Sequence, residues 1–204
     1  MICLAKGFNE REKEAIRQKL MDAAEVCWGR YGLRKTSVDE LVSMANISKG
    51  SFYLFYPSKE HLFMDAFERI DARVKERLYD LLGSSGGDKK ETLTKVIRLL
   101  IDEVKKTPWM LNMGKGELEL LIRKLPAERV AKHLSSDDSA AVELISQLGI
   151  EKAVDPKLVS GVFRAIFLML LHEEEIGADI LDSVIDYLVD AVTGKMLRDE
   201  GNNR

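Results

Sequence analysis

Apolar residues recur every three or four positions along most of this chain, which predicts helices from about Glu10 onward and an all-α fold. Ile16, Leu20, Ala24, Cys27 and Tyr31 mark the first helix, with Gly32 placed to end it in a left-handed conformation and residues 1–9 as a loose arm. Val38, Leu41, Val42 and Ala45 form a single stripe on a short second helix. A third short helix turns Phe52 and one of Phe55 or Tyr56 inward and is ended by Pro57. Phe63, Ala66, Ile70, Val74, Leu78 and Leu81 trace a long fourth helix, which runs into a flexible segment over 83–87. Asp88 and Glu91 open the next, with Leu93, Val96, Ile97, Leu100, Ile101 and Val104 inside and a stop before Pro108. Short helices are expected at about 109–114, at 117–134 with a kink or break at Pro126, and at 137–148. Asp155 and Pro156 start a helix through Leu158, Val159, Val162, Phe163, Ile166, Phe167 and Leu170. The last helix holds Ile180, Leu181, Val184, Ile185, Leu188, Val189 and Val192. Both final helices are apolar over more than one stripe, which suits either a partner or a fully buried pair in a monomer.

The local signals between Thr36 and Lys59 are denser than elsewhere. Ser37 and Glu40 have capping-box spacing, Asn46 tolerates the left-handed backbone of a tight turn, and Ser48 can cap the third helix. Ile47 and Phe52 then fall at the two ends of a hydrophobic staple. Ser58 is placed to cap the fourth helix, with Glu60 in its first turn. Two short helices joined by a tight turn, the second exposing small and basic residues, form a helix-turn-helix that places its second helix in the DNA major groove. Lys49, Gly50, Ser51 and Tyr53 face outward on that helix. Glycine is costly inside a helix, so Gly50 reflects either close approach to another backbone or an early-turn position where the cost is small.

Composition adds less. The formal net charge is −3, but residues 1–60 hold ten Lys/Arg against eight Asp/Glu and residues 61–204 hold 21 against 26. This asymmetry agrees in sign with phosphate binding at the N-terminal end. Cys3 and Cys27 are far apart with no C-x-x-C spacing, which argues against a disulfide framework or zinc site and suits a reducing cytoplasm. The start MICLA lacks the features of a signal peptide, and the apolar run 166–171 is too short to span a bilayer. No H-E-x-x-H, Walker, G-x-G-x-x-G or G-x-S-x-G motif is present. His172 has no second histidine at metal spacing, and His61 and His133 read as surface groups. The expectation is a cytoplasmic non-enzyme with no cofactor, no metal and no membrane partner.

The run from Leu20 to Phe63, LMDAAEVCWGRYGLRKTSVDELVSMANISKGSFYLFYPSKEHLF, resembles the DNA-binding domain of the tetracycline-repressor (TetR) family. The resemblance rests on Ala23-Ala24, Trp28, Gly32, Thr36-Ser37-Val38, Ser48 through Ser51, Tyr53 and Pro57 through Glu60. Departures are Asn46 where Gly is usual, Trp28 for Phe, and Leu54 where a polar residue is frequent. The resemblance implies a helix-turn-helix domain over 1–60 plus a helical ligand-binding and dimerisation domain over 61–204, about nine helices. It implies a repressor that binds a palindromic operator in double-stranded DNA as a homodimer and is released by a small apolar or amphipathic effector.

Carried over by residue, Thr36, Ser37, Tyr53 and Lys59 would hold phosphates, Phe55 would lie against the backbone or sugar, and Ser48, Lys49, Gly50 and Ser51 would sit at the reading surface. Leu54 would touch a thymine methyl or lie at the rim. Trp109, Met110, Met113, Leu121, Phe163 and Phe167 would line an effector pocket, against the alternative of plain core packing. Val159, Val162, Phe163, Ile166, Leu181, Ile185, Leu188 and Val192 would form the dimer interface. The rivals are a small-molecule-binding helical protein and a protein–protein adaptor, neither of which binds an operator.

Overall fold

The computed structural model describes residues 8–84, 88–111, 113, 116–150 and 154–201, and among them all extended regular structure is helical. Eleven helices follow in order: α1 (Glu10–Lys35), α2 (Val38–Ala45), α3 (Lys49–Phe55), α4 (Lys59–Ser84), α5 (Lys89–Lys106), α6 (Pro108–Leu111), α7 (Glu117–Lys124), α8 (Ala127–Leu148), α9 (Pro156–Leu171), α10 (Glu173–Ile176) and α11 (Leu181–Gly201). The single turn α6 falls at the helix expected near 109–114, whereas the single turn α10 was not expected. Residues 1–7 of the arm expected over 1–9, Cys3 among them, and the glycines of 85–87 lie outside the described residues.

α1 packs on α2 and along the first half of α4, burying Leu20, Ala24, Cys27 and Trp28 with Leu41, Phe52, Leu62 and Phe63. Its start is sharper than a loose arm: Asn9 accepts from the Glu12 N–H and Glu12 accepts from the Asn9 N–H, a complete capping box. Gly32 interrupts it at φ 78°, ψ 168°, positive as expected but extended rather than left-handed helical. Tyr31, expected inside, is 46% exposed, because the chain turns at Gly32 and Leu33 takes the inward place.

The long α4 continues from this module into the body, where it meets α5, α7 and α8, and the buried apolar residues form one continuous core. Pro126 does break the expected 117–134 helix, ending α7 before it, but α8 then runs unbroken through the predicted gap near 135. The polar run there is turned to use: Ser136 and Asp137 both meet Lys75 of α4, and Ser139 Oγ donates to the Ser135 carbonyl. Asp155 caps α9 with Pro156 in its first turn, and α11 lies along α5. Among the described residues no helix is long and apolar enough to cross a membrane.

Candidate nucleic-acid interface and the cavity behind it

Sequence signals between Thr36 and Lys59 become a rigid pair of helices. Ser37 Oγ accepts from the Glu40 N–H at the start of α2, and Asn46 ends α2 at φ 56°, ψ 49°. The Ile47 N–H returns to the Val42 carbonyl, which closes the turn, and Ile47 and Phe52 both pack on the core as a staple requires. Ser48 Oγ accepts from the Ser51 N–H and lies 2.8 Å from Ser51 Oγ, so the two hydroxyls share one edge of α3.

Phe52 and Tyr56 point inward, and the outer face of α3 stays open: Tyr53 is 54% and Leu54 78% exposed, and Lys49 and Gly50 are exposed. Lys49 Nζ donates to Asp39 Oδ2 at 2.9 Å, a hydrogen bond and charge that hold the ammonium above the usual lysine range. Asp39 therefore belongs to the same surface, a residue that sequence reasoning missed. A Cβ at Gly50 would meet nothing nearer than Ser48 Oγ at 3.8 Å, so nothing within the chain demands glycine there. Phe55 lies under the N-terminal end, with Phe8 at 5.9 Å between ring centroids and the Arg17 guanidinium at 5.7 Å.

Two expected phosphate-holding residues have other work. Thr36 is 2% exposed and its hydroxyl donates to the Gly32 carbonyl at 2.7 Å. Lys59 Nζ donates to the carbonyls of Leu33 and Thr36, each at 2.7 Å, and of Arg34 at 3.4 Å. An ammonium has three protons, and these carbonyls take all of them. Both residues fasten the segment between α1 and α2; Ser37 and Tyr53 remain available to a phosphate.

The opposite side of that segment is held by Glu117, 9% exposed at the first position of α7. Its Oε2 accepts from Trp28 Nε1 at 2.9 Å and from the Leu33 N–H at 2.7 Å, and its Oε1 from the Arg34 N–H at 3.3 Å. Trp28 is also stacked on Trp109 at 4.6 Å and meets the edge of Phe63 at 4.8 Å. No motif announces a glutamate that pairs with backbone over 80 residues away, and it was not legible in the sequence.

Between α4, α5, α8 and α9 lies a cavity of about 160 Å³. Of the expected pocket residues Met110, Phe163 and Phe167 line it, together with Phe67, Ile70, Val74, Leu78, Ile101, Val104, Leu144 and Leu170. Trp109, Met113 and Leu121 do not: the first stacks on Trp28 and the other two are 1% exposed in the core. The polar end carries Asp71, Lys75, Asp137, Ser160 and Arg164. Lys75 Nζ bridges Asp71 at 2.6 Å and Asp137 at 3.1 Å; burial works against its charge, and these two carboxylates outweigh that and hold it above the usual lysine range. Asp71, His133 and Asp137 could offer three metal ligands, but this ammonium already occupies the cation position between the carboxylates. Arg164 Nη1 is shielded from solvent with no hydrogen-bond partner among the described residues, its nearest carboxylates at 3.6 and 3.7 Å.

The expected dimer residues divide. Val159, Ile166, Leu181 and Ile185 are buried within one chain and cannot be a partner's first contacts, because α9 and α11 turn those faces to the core. Val162, Phe163, Leu188 and Val192 are half-buried. The outward apolar positions are Leu158 and Leu168 on α9, with Ile180 just before α11 and Tyr187 on it.

A capped helix pair with an open small-and-basic face, braced on a helical body with an internal cavity, defines a helix-turn-helix transcriptional regulator. The family model described as Bacterial regulatory proteins, tetR family, matches residues 20–66 of this chain. The chain is 22% identical over 163 residues to the HTH-type transcriptional regulator YhgD of Bacillus subtilis, covering 78% of this chain and 84% of that protein. To the HTH-type transcriptional repressor NemR of Escherichia coli K12 it is 29% identical over 86 residues, 42% of this chain and 43% of NemR. The fold is shared with a TetR transcriptional regulator from Rhodococcus sp. RHA1, at TM-score 0.61 and 16% identity over 88% of this chain and 96% of that one. It is also shared with FadR from Bacillus subtilis in complex with stearoyl-CoA, at TM-score 0.60 and 20% identity over 84% and 97%.

Proposed function

We propose that two copies of this chain bind an inverted-repeat operator and repress transcription until an effector enters the cavity. Gly50 carries the reading: its place in the first turn of α3 has room for a side chain, and the bare backbone leaves that space open to something outside the molecule. That something is a DNA backbone or base edge, which α3 approaches with Lys49 and Ser51 toward bases and Ser48 beside them. Ser37 and Tyr53 hold phosphates, Leu54 offers apolar contact with a thymine methyl, and Phe55 packs beside Phe8 rather than on a sugar. Pairing uses the outward face of Leu158, Leu168, Ile180 and Tyr187. Two-fold pairing makes the operator palindromic.

FadR of Bacillus subtilis was solved with an acyl-CoA, and the apolar cavity with a charged end in this chain suits an apolar or amphipathic effector of smaller bulk. The test is selection from random double-stranded DNA followed by a salt titration. The expected product is an inverted repeat, bound with an affinity that falls steeply with salt. Recovery of no DNA above background sinks the reading. Ser51→Ala should change which sequences are recovered, whereas Ser37→Ala should weaken all of them alike.

A further inference from the structure

Glu117 is a buried carboxylate whose three donors are the Trp28 indole and the peptide N–H groups of Leu33 and Arg34. It comes from the body, and everything it holds belongs to the α1 end of the DNA-binding module. Gly32 is shaped to receive it: a Cβ there would fall 2.2 Å from Glu117 Oε1, and φ +78° already excludes most side chains. Leu33 and Arg34 turn their N–H groups to Glu117 while their carbonyls accept from Lys59. The segment 32–36 is thus gripped from both sides, by a carboxylate on its donors and an ammonium on its acceptors. Ser37, the N-cap of α2, is the very next residue.

We infer that Glu117 is a positioning residue for DNA binding: it fixes the direction in which α2 leaves α1, and with it the angle at which α3 is presented. The inference rests on the reading of α2 and α3 as a DNA-binding pair. Glu117 is not itself on the exposed face of α3, so its loss removes no phosphate contact.

The experiment uses the full chain and the DNA that the wild type selects, at a temperature where each variant is fully folded by circular dichroism. Glu117→Gln keeps the volume but sets an amide N–H₂ against donors. It should raise hydrogen exchange at the Leu33 and Arg34 amides about tenfold and weaken DNA binding about tenfold, with the salt slope unchanged. A purely structural role would lower the unfolding midpoint yet leave the folded protein's affinity as it was, and that result overturns the inference. The wild type supplies a second measurement that needs no variant to fold. By linkage, saturating it with the selected DNA should slow exchange at the same two amides, and unchanged exchange counts against the positioning role. If the wild type binds no DNA, the functional reading fails and this inference with it; if the wild type binds and Glu117→Gln binds equally well, this inference fails alone.

Discussion

A methyl group at Gly50 would have open space, whereas one at Gly32 would strike Glu117 at 2.2 Å. Gly50→Ala should therefore stabilise the chain by about 0.5 kcal/mol through helix propensity while reducing DNA binding, a combination that urea denaturation and a binding titration can separate. Gly32→Ala should destabilise by about 3 kcal/mol, from backbone strain and a displaced carboxylate together. Lys59 offers a third case. With its ammonium set among three carbonyls, Lys59→Met should lower the urea midpoint, by an amount corresponding to about 2 kcal/mol. The sequence marked Lys59 and Thr36 only as members of a motif. Motif membership does not say whether a polar group faces outward or back onto its own chain, and here both face back. Asn46, by contrast, was readable, because its left-handed backbone is a local property that a residue type announces.

Among the helices, α11 is bound to α5 by a ladder in which Asp182 meets Lys105, Asp186 meets Arg98 and Asp190 meets Lys90. Hydrogen bonds and charge from Lys105 and Lys90 hold Asp182 and Asp190 below their ordinary value of 3.8. Carboxylates with depressed values in the folded state contribute stability above the unfolded value and lose it as the pH falls through the folded one. Protection of the α11 amides from hydrogen exchange should accordingly decline below about pH 4 and in high salt, with α1 to α3 less affected. The sequence foretold most helices of this body, since apolar spacing and caps are local. It failed at α8, where a gap was expected at 135–136 but the helix runs on, with Ser136 and Asp137 held by Lys75 from α4, the Lys75–Asp137 contact spanning 62 residues.

In the whole molecule, burial decides what pattern alone leaves open. Both α9 and α11 carry broad apolar faces, and only a fold shows that Val159 and Ile185 are used inside while Leu158 and Tyr187 are left outside. The proposed pairing through this outward face is tested by Tyr187→Asp with Leu158→Asp, which should abolish any dimer seen for the wild type in sedimentation equilibrium, whereas Ile185→Asp should unfold the chain. The cavity was legible to the same extent: Met110, Phe163 and Phe167 line it, while Trp109, one residue from Met110, stacks on Trp28. That stack has an optical consequence. The chain has two tryptophans, and their rings lie 4.6 Å apart where the body grips the DNA-binding module. Their emission thus comes wholly from this joint, with Met110 of the cavity wall beside it in sequence. A library of compounds can be screened by intrinsic tryptophan fluorescence without a label, and a saturable change in emission at constant absorbance reports on this joint.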